Sequence, residues 1–401
     1  MSLTFDSPGK ASAAAGSTGA RMRAAVVSAP GRMELREVDA PVPAAHEVLV
    51  RVEAVGVCGT DLHIFAGHAN YSSDDEGRPI PLERAPQILG HEIAGVVERV
   101  GADVHDVRVG ERVVVDQGRT CVGEGRDPRC EYCASGDSHQ CERYREHGIT
   151  GLPGGFAELL AVPAANVVPR TTALDAASAA LTEPLGCVLH SCEMLLRAEA
   201  RYTLAASRPE ARIRTVLVVG AGPAGLLFVQ YLRQVLGYEG TLLVSEPGEV
   251  KRALAERFGA ETLDPGAVDL AAAVRERTGG RRVELLIDAS GAGQIFPLVP
   301  QLVRKQATVL LYGHGHHGVD LSVLNSIQFL EPTLLAPVGA SGGFEPDGRP
   351  TTYVRALRLI EGGRVDVGSL ITHRYTTLDA VPGAFAGDHL APEYVKGVVT
   401  L

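Results

Sequence analysis

The sequence has no apolar run of about 18 residues, the length a helix needs to cross a bilayer. No membrane span is expected. The first twenty residues, MSLTFDSPGKASAAAGSTGA, lack the charged-then-apolar pattern of a secretion signal. They are small and polar, and residues 1–21 are expected to form a disordered tail. Positive charge is also short: 38 Lys and Arg stand against 48 Asp and Glu, a formal net charge of -10. An acidic surface disfavours nonspecific binding to nucleic acid or anionic lipid. Evenly spread, pairable cysteines are missing too. The seven cysteines are odd in number, and Cys121, Cys130, Cys133 and Cys141 crowd together. In a long chain without a secretion signal, that clustering points to metal rather than disulfides, and to a reducing cytoplasm.

What remains is ordinary for a folded protein, with 45% hydrophobic and 21% charged residues. A chain of 401 residues suggests two domains, one of them split in sequence. Short valine-rich runs punctuated by Gly and Pro fill residues 22–57 and continue through EIAGVVERVG, ERVVVD, GFAELLAV and NVVPR. They read as an all-β, barrel-like unit interrupted by the cysteine loop. DAASAALTEPLGCVLHSCEMLLRAEA reads as helix. From residue 215, TVLVVG, AGLLFVQYLRQVLG, TLLVSE, EVKRALAERFGA, VELLIDAS and ATVLLYG alternate strand and helix, the pattern of a parallel sheet covered on both faces. The polar stretch before the first of these strands fits neither pattern.

Gly220-Ala221-Gly222-Pro223-Ala224-Gly225 is a G-x-G-x-x-G turn between such a strand and its helix. Gly220 permits the tight turn, Gly222 admits a pyrophosphate, and Gly225 lets the helix pack closely. The helix N-terminus offers free N–H groups to phosphate. Glu246 ends the next strand, 21 residues after Gly225, where a carboxylate can accept hydrogen bonds from ribose hydroxyls and would repel a 2′-phosphate. This favours NAD over NADP, although Lys251 and Arg252 stand close behind.

Cys121, Cys130, Cys133 and Cys141 can surround one ion. Four thiolates suit tetrahedral zinc in a closed structural shell, and an iron–sulfur cluster takes the same ligands. A second metal position is suggested by Cys58-Gly59-Thr60-Asp61-Leu62-His63 and by Gly90-His91-Glu92. Cys58 and His91 form a borderline-soft pair suited to zinc. Glu92, Glu183 or Cys187 could be the third ligand, leaving a fourth position for an alcohol oxygen. Thr60 and His63 could carry the proton away, and Asp61 could orient His91.

Together these motifs resemble the zinc-dependent medium-chain dehydrogenases, the group of alcohol, sorbitol and threonine dehydrogenases. VGVCGTDLHIF, GHEIAGVVERVG, the cysteine loop, TEPLGCVLH and VLVVGAGPAGLL follow in the family's order over roughly residues 22–401. The resemblance implies a discontinuous GroES-like β-barrel catalytic domain, 22–189 and 340–401, around a Rossmann NAD-binding domain, 190–339. It implies one catalytic and one structural zinc, a cleft between the domains, and a homodimer or homotetramer. Glu183 matches the acidic position of the polyol branch, and Glu92 the carboxylate beside the metal histidine. The implied reaction moves a hydride between NAD(H) and a small secondary alcohol, polyol, cyclitol or amino-alcohol. A non-catalytic NAD-binding member, or an enzyme using internal redox, are the alternatives. The chain departs from the family in the eight residues between Cys121 and Cys130, where two are usual. His314, His316 and His317 read as a solvated loop, and Lys396 as a surface lysine.

Overall fold

A computed structural model describes residues 19–401. The expected tail lies outside the described residues as far as residue 18, and Arg21 already opens the first strand. The strands fall into two principal systems, one mainly antiparallel and one parallel.

The first is organised on the strand Glu47–Val57. It pairs antiparallel with Glu92–Val100, Leu159–Pro163 and Lys396–Thr400. Its valines suit a pleated strand packed on both sides, and nine of its eleven residues are buried. Arg112–Val115 and Val167–Pro169 extend the sheet on one side, and Ile371–Tyr375 on the other. The chain therefore leaves this system and returns to it. In the register, Gly56 stands opposite both Glu92 and Val398, which brings the start of the returning strand beside Glu92.

The second system is a six-stranded parallel sheet. Its order is Glu261–Leu263, Thr241–Ser245, Thr215–Val219, Val283–Asp288, Val303–Leu311, Thr333–Leu335. Numbered along the chain this is 3-2-1-4-5-6, the doubly wound order of dinucleotide-binding sheets. Side chains of Thr215–Val219 alternate between two cores: Val216 and Val218 join one cluster, Leu217 and Val219 another. Both faces are thus packed, as the unbroken apolar runs require. The two edge strands, three residues each, were not legible as strands because three residues carry no period.

The Ala- and Leu-rich run forms two helices, Ala176–Ala180 and Thr182–Arg197, rather than one. Pro184 has no N–H to give to the carbonyl of Ala180, so the helix restarts and takes the proline in its first turn. Residues Thr182–Cys192 are all buried. Ala94 and Val398 of the first system share a core cluster with Leu185 and Leu189 of this helix and with Val216 and Leu285 of the parallel sheet. The helix is the joint between the two systems. The polar stretch before residue 215 contains only an isolated bridge, Thr203 to Arg212, and the short turn Pro209–Ala211.

Candidate active site

Cys58 follows the last residue of the central strand and caps the short helix Gly59–Phe65. Asp61, fully buried in that helix, accepts from the backbone N–H of Cys58 (2.9 Å) and of Gly90 (3.1 Å). One carboxylate thereby fixes the two loops that carry Cys58 and His91. Asp61 Oδ1 also lies 3.3 Å from His91 Nδ1, close enough to pair, although that nitrogen has no aligned hydrogen-bond partner. With Nδ1 facing Asp61, Nε2 is the ring nitrogen left to offer its lone pair to a metal. The ligand atoms of Cys58, His91 and Glu92 all lie within 4.8 Å of one another.

The electrostatics of this cluster suit a cation. Burial lowers the pKa of His91, yet Asp61 and Cys58 outweigh it and hold the imidazole well above its usual value. Glu92 is fully buried. Its Oε1 accepts from Lys396 Nζ at 2.5 Å, while its Oε2 has no partner. A Cβ on Gly56 would stand 1.8 Å from that free oxygen, so only glycine leaves room for the carboxylate. A buried acceptor without a donor costs about 1–3 kcal/mol or more, and zinc would satisfy it. Cys58, His91 and Glu92 therefore fit the metal.

Glu183 lines the same cavity but stands apart from that cluster. Its Oε1 accepts from Gln117 Nε2 and from the Cys187 thiol, both at 3.1 Å. Burial lifts its carboxyl to about 7, with His91 pulling it back and Glu92 pushing it up. Cys187 packs in the shared core, as a helix residue would.

The cavity has a volume of about 470 Å³. Thr60 and His63 line it from the metal side, and Gly222, Pro223 and Ala224 from the glycine turn. Burial lowers the pKa of His63, and neighbouring His68, His314 and His317 lower it further, so the ring is neutral at pH 7. The three glycines differ as their roles require. Gly220 has φ +91° against Ser290; a Cβ on Gly225 would meet the Gly220 carbonyl at 1.9 Å; a Cβ on Gly222 would meet nothing within 4 Å. Open space at Gly222, at the N-terminus of the helix Pro223–Gln230, is where a pyrophosphate can approach. Glu246 accepts from Ala221 N–H (2.7 Å) and Gly248 N–H (2.8 Å), each oxygen keeping a further lone pair.

The four clustered cysteines converge, with ligand atoms within 4.8 Å. Cys141 Sγ lies 3.6 Å from Cys121 Sγ and 3.8 Å from Cys130 Sγ. Zinc–sulfur bonds of about 2.3 Å in a tetrahedron put the sulfurs about 3.8 Å apart, so this shell fits zinc. Cys130 caps the helix Glu131–Ser135. Against burial, N–H groups of Cys133 and Glu142 draw its thiol down to about 7, which favours the thiolate. The eight residues 122–129 loop out without displacing Cys121.

One expectation is overturned. Lys396 is not on the surface: it is 2% exposed, and Glu92 and Cys58 hold its pKa up against burial. Its partner lies 304 positions earlier, and only the returning strand brings them together. Gln117 was also missed. It donates to Glu183 and accepts from the Tyr353 hydroxyl, and no motif marked it. The histidine loop divides. His314 and His317 are exposed, whereas His316 bonds Asp288 Oδ2 at 2.7 Å.

Residues 44–172 match the alcohol dehydrogenase GroES-like domain, and residues 223–361 the zinc-binding dehydrogenase domain. The L-threonine 3-dehydrogenase of Pyrococcus furiosus is 33% identical over 88% of this chain and 90% of its own. A Sinorhizobium meliloti 1021 protein solved with NADP superposes with a TM-score of 0.76 at 29% identity, covering 95% of this chain and 100% of that one. An Escherichia coli alcohol dehydrogenase solved with NADH gives 0.76 at 26%, covering 95% and 99%. The chain belongs to the zinc-dependent medium-chain dehydrogenases, in the branch of the threonine and polyol dehydrogenases.

Proposed function

We propose that this chain transfers a hydride between NAD(H) and a small secondary alcohol, polyol, cyclitol or amino-alcohol and its ketone or aldehyde. The supporting observation is one cavity lined both by Cys58, His91 and Glu92 and by the glycine turn. Bound zinc supplies a Lewis acid that polarises the substrate oxygen, and the nicotinamide supplies or takes the hydride. Cys58, His91 and a carboxylate, Glu92 or Glu183, hold the metal, and Cys121, Cys130, Cys133 and Cys141 hold the structural ion. Asp61 keeps the Cys58 and His91 loops in register. Thr60 Oγ1 accepts the substrate's proton and passes it to His63, whose neutral ring hands it to water.

Glu246 gives NAD its advantage over NADP through the ribose hydroxyls. Glu246→Ala should weaken NAD more than NADP, and equal losses in the two binding constants would remove the ribose contact. The catalytic domain takes residues 22–189 and 340–401 and the NAD domain 190–339, with the first boundary inside the jointing helix. The protein works in the cytoplasm as a homodimer or homotetramer. The edge strand Thr333–Leu335, with exposed Phe329 (83%) and Leu321 (68%) shortly before it in sequence, supports sheet-edge pairing of two copies.

The test joins metal content to turnover. Elemental analysis should give two zincs per chain, and the same sample should form NADH from NAD with a panel of secondary alcohols and polyols. One zinc per chain and no turnover across the panel would overturn the reading.

A further inference from the structure

Four histidines approach one another from opposite sides of the cavity, and two of them, His63 and His314, line it. His63 and His68 lie in and just after the helix Gly59–Phe65, on the antiparallel side. His314 and His317 lie in the loop after Val303–Leu311, on the parallel side. The His68 ring centroid is 6.2 Å from that of His63 and 6.2 Å from that of His317. His68 is the middle member. His63 and His314 line the cavity, and His68, His314 and His317 face solvent.

Both backbones are pinned. His68 N–H donates to the His63 carbonyl at 2.9 Å, across Gly67 in the left-handed region at φ +74°. Opposite, His316 holds the loop inward through Asp288, and its N–H donates to the Gly291 carbonyl at 2.7 Å. A Cβ on Gly293 would meet the His317 carbonyl at 2.4 Å, so that backbone is packed as well. What stays free is rotation of the rings. Zinc–nitrogen bonds of about 2.0–2.1 Å place two imidazoles on one ion with centroids about 5–6 Å apart. The His63–His68 and His68–His317 pairs, each at 6.2 Å, are within about an ångström of that, and rotation of the rings about His68 would have to supply the rest. Burial, and then the neighbouring imidazoles, lower the pKa of His63 and favour the neutral ring that ligates a metal.

We propose that His63, His68 and His317 form an additional site for a borderline divalent transition cation such as zinc, which staples the two sides of the cavity mouth and inhibits the enzyme. An ion there occupies the lone pair with which His63 takes up the substrate's proton and ties the histidine loop to the helix behind Cys58. The inhibitory part rests on the function proposed above; the binding part does not. Three imidazole ligands suit zinc, copper(II) or nickel(II), and disfavour magnesium and calcium, which take oxygen ligands.

The experiment is calorimetric titration of zinc chloride into zinc-loaded, NAD-bound enzyme, with turnover followed in parallel. Wild type should bind one further zinc per chain with micromolar affinity and lose turnover over the same range; magnesium should do neither. His68→Ala should retain turnover without added zinc and bind the further ion at least tenfold more weakly. His317→Ala should do the same from the other side. No further equivalent in wild type, or equal binding by both variants, overturns the site. Binding without inhibition overturns the staple. Absence of turnover before any zinc is added would count against the proposed function instead, and the binding isotherm would still decide the site.

Discussion

The two clusters of side chains proposed as zinc ligands differ in everything that would decide the use of the ion. The four cysteines arise within 21 residues of chain and face one another at tetrahedral sulfur spacing. A closed thiolate shell leaves no coordination position and no reacting group beside it. Cys58, His91 and Glu92 come from separate loops and strands, with a cavity on one side and a buried lysine on the other. The contrast teaches that a closed shell adds to folding free energy, whereas an open one holds chemistry at a cost in unsatisfied polar groups.

The comparison breaks most visibly at Cys58. Cys58→Ser should lower kcat by roughly 1,000-fold or more, about 4 kcal/mol in the barrier, with NAD affinity and melting temperature near those of wild type. Steady-state kinetics beside elemental analysis should show zinc falling from two per chain to one. Retained activity would dismiss the open site. Cys133→Ser should do the reverse. Losing one closed-shell ligand should cost several kcal/mol of stability, read as a lowered melting temperature, while kcat per folded molecule changes little. A variant that lost chemistry at unchanged melting would erase the distinction.

Lys396→Met sharpens it further. Removing the ammonium leaves Glu92 buried and unpaired, a loss of about 3–5 kcal/mol in metal-free protein by denaturant unfolding. Zinc at the open site should recover part of that loss, because the ion compensates the same carboxylate. Equal losses with and without zinc would place Glu92 outside the coordination shell.

The fold was legible where period and punctuation agreed. The valine runs around residues 47–57 and the strand–turn–helix at 215–230 read correctly because burial on both faces writes itself as continuous apolar sequence. The site's ligands were legible because Cys58 and His91 sit in compact motifs. Lys396 was not, since its partner Glu92 lies 304 positions away and no local pattern joins the two. Only the pairing of Gly397 with Val57 and of Gly56 with Glu92 reveals its partner. Gln117 stayed hidden for the same reason. The broken helix at Leu181 was foreseeable from Pro184, which the Ala- and Leu-rich texture outweighed.

The long reach from Glu92 to Lys396 also sets an order of events in the cell. A ribosome adding about 5–20 residues per second needs roughly 15–60 s to travel the 304 positions between them. Any part of the barrel that forms in that interval would hold Glu92 without the cation that neutralises it. Its central strand likewise waits for the neighbour that arrives with Lys396. The proposed open site would then be completed only once the returning strand arrives. The four-cysteine loop, emerging as one short stretch, can take its metal while synthesis continues.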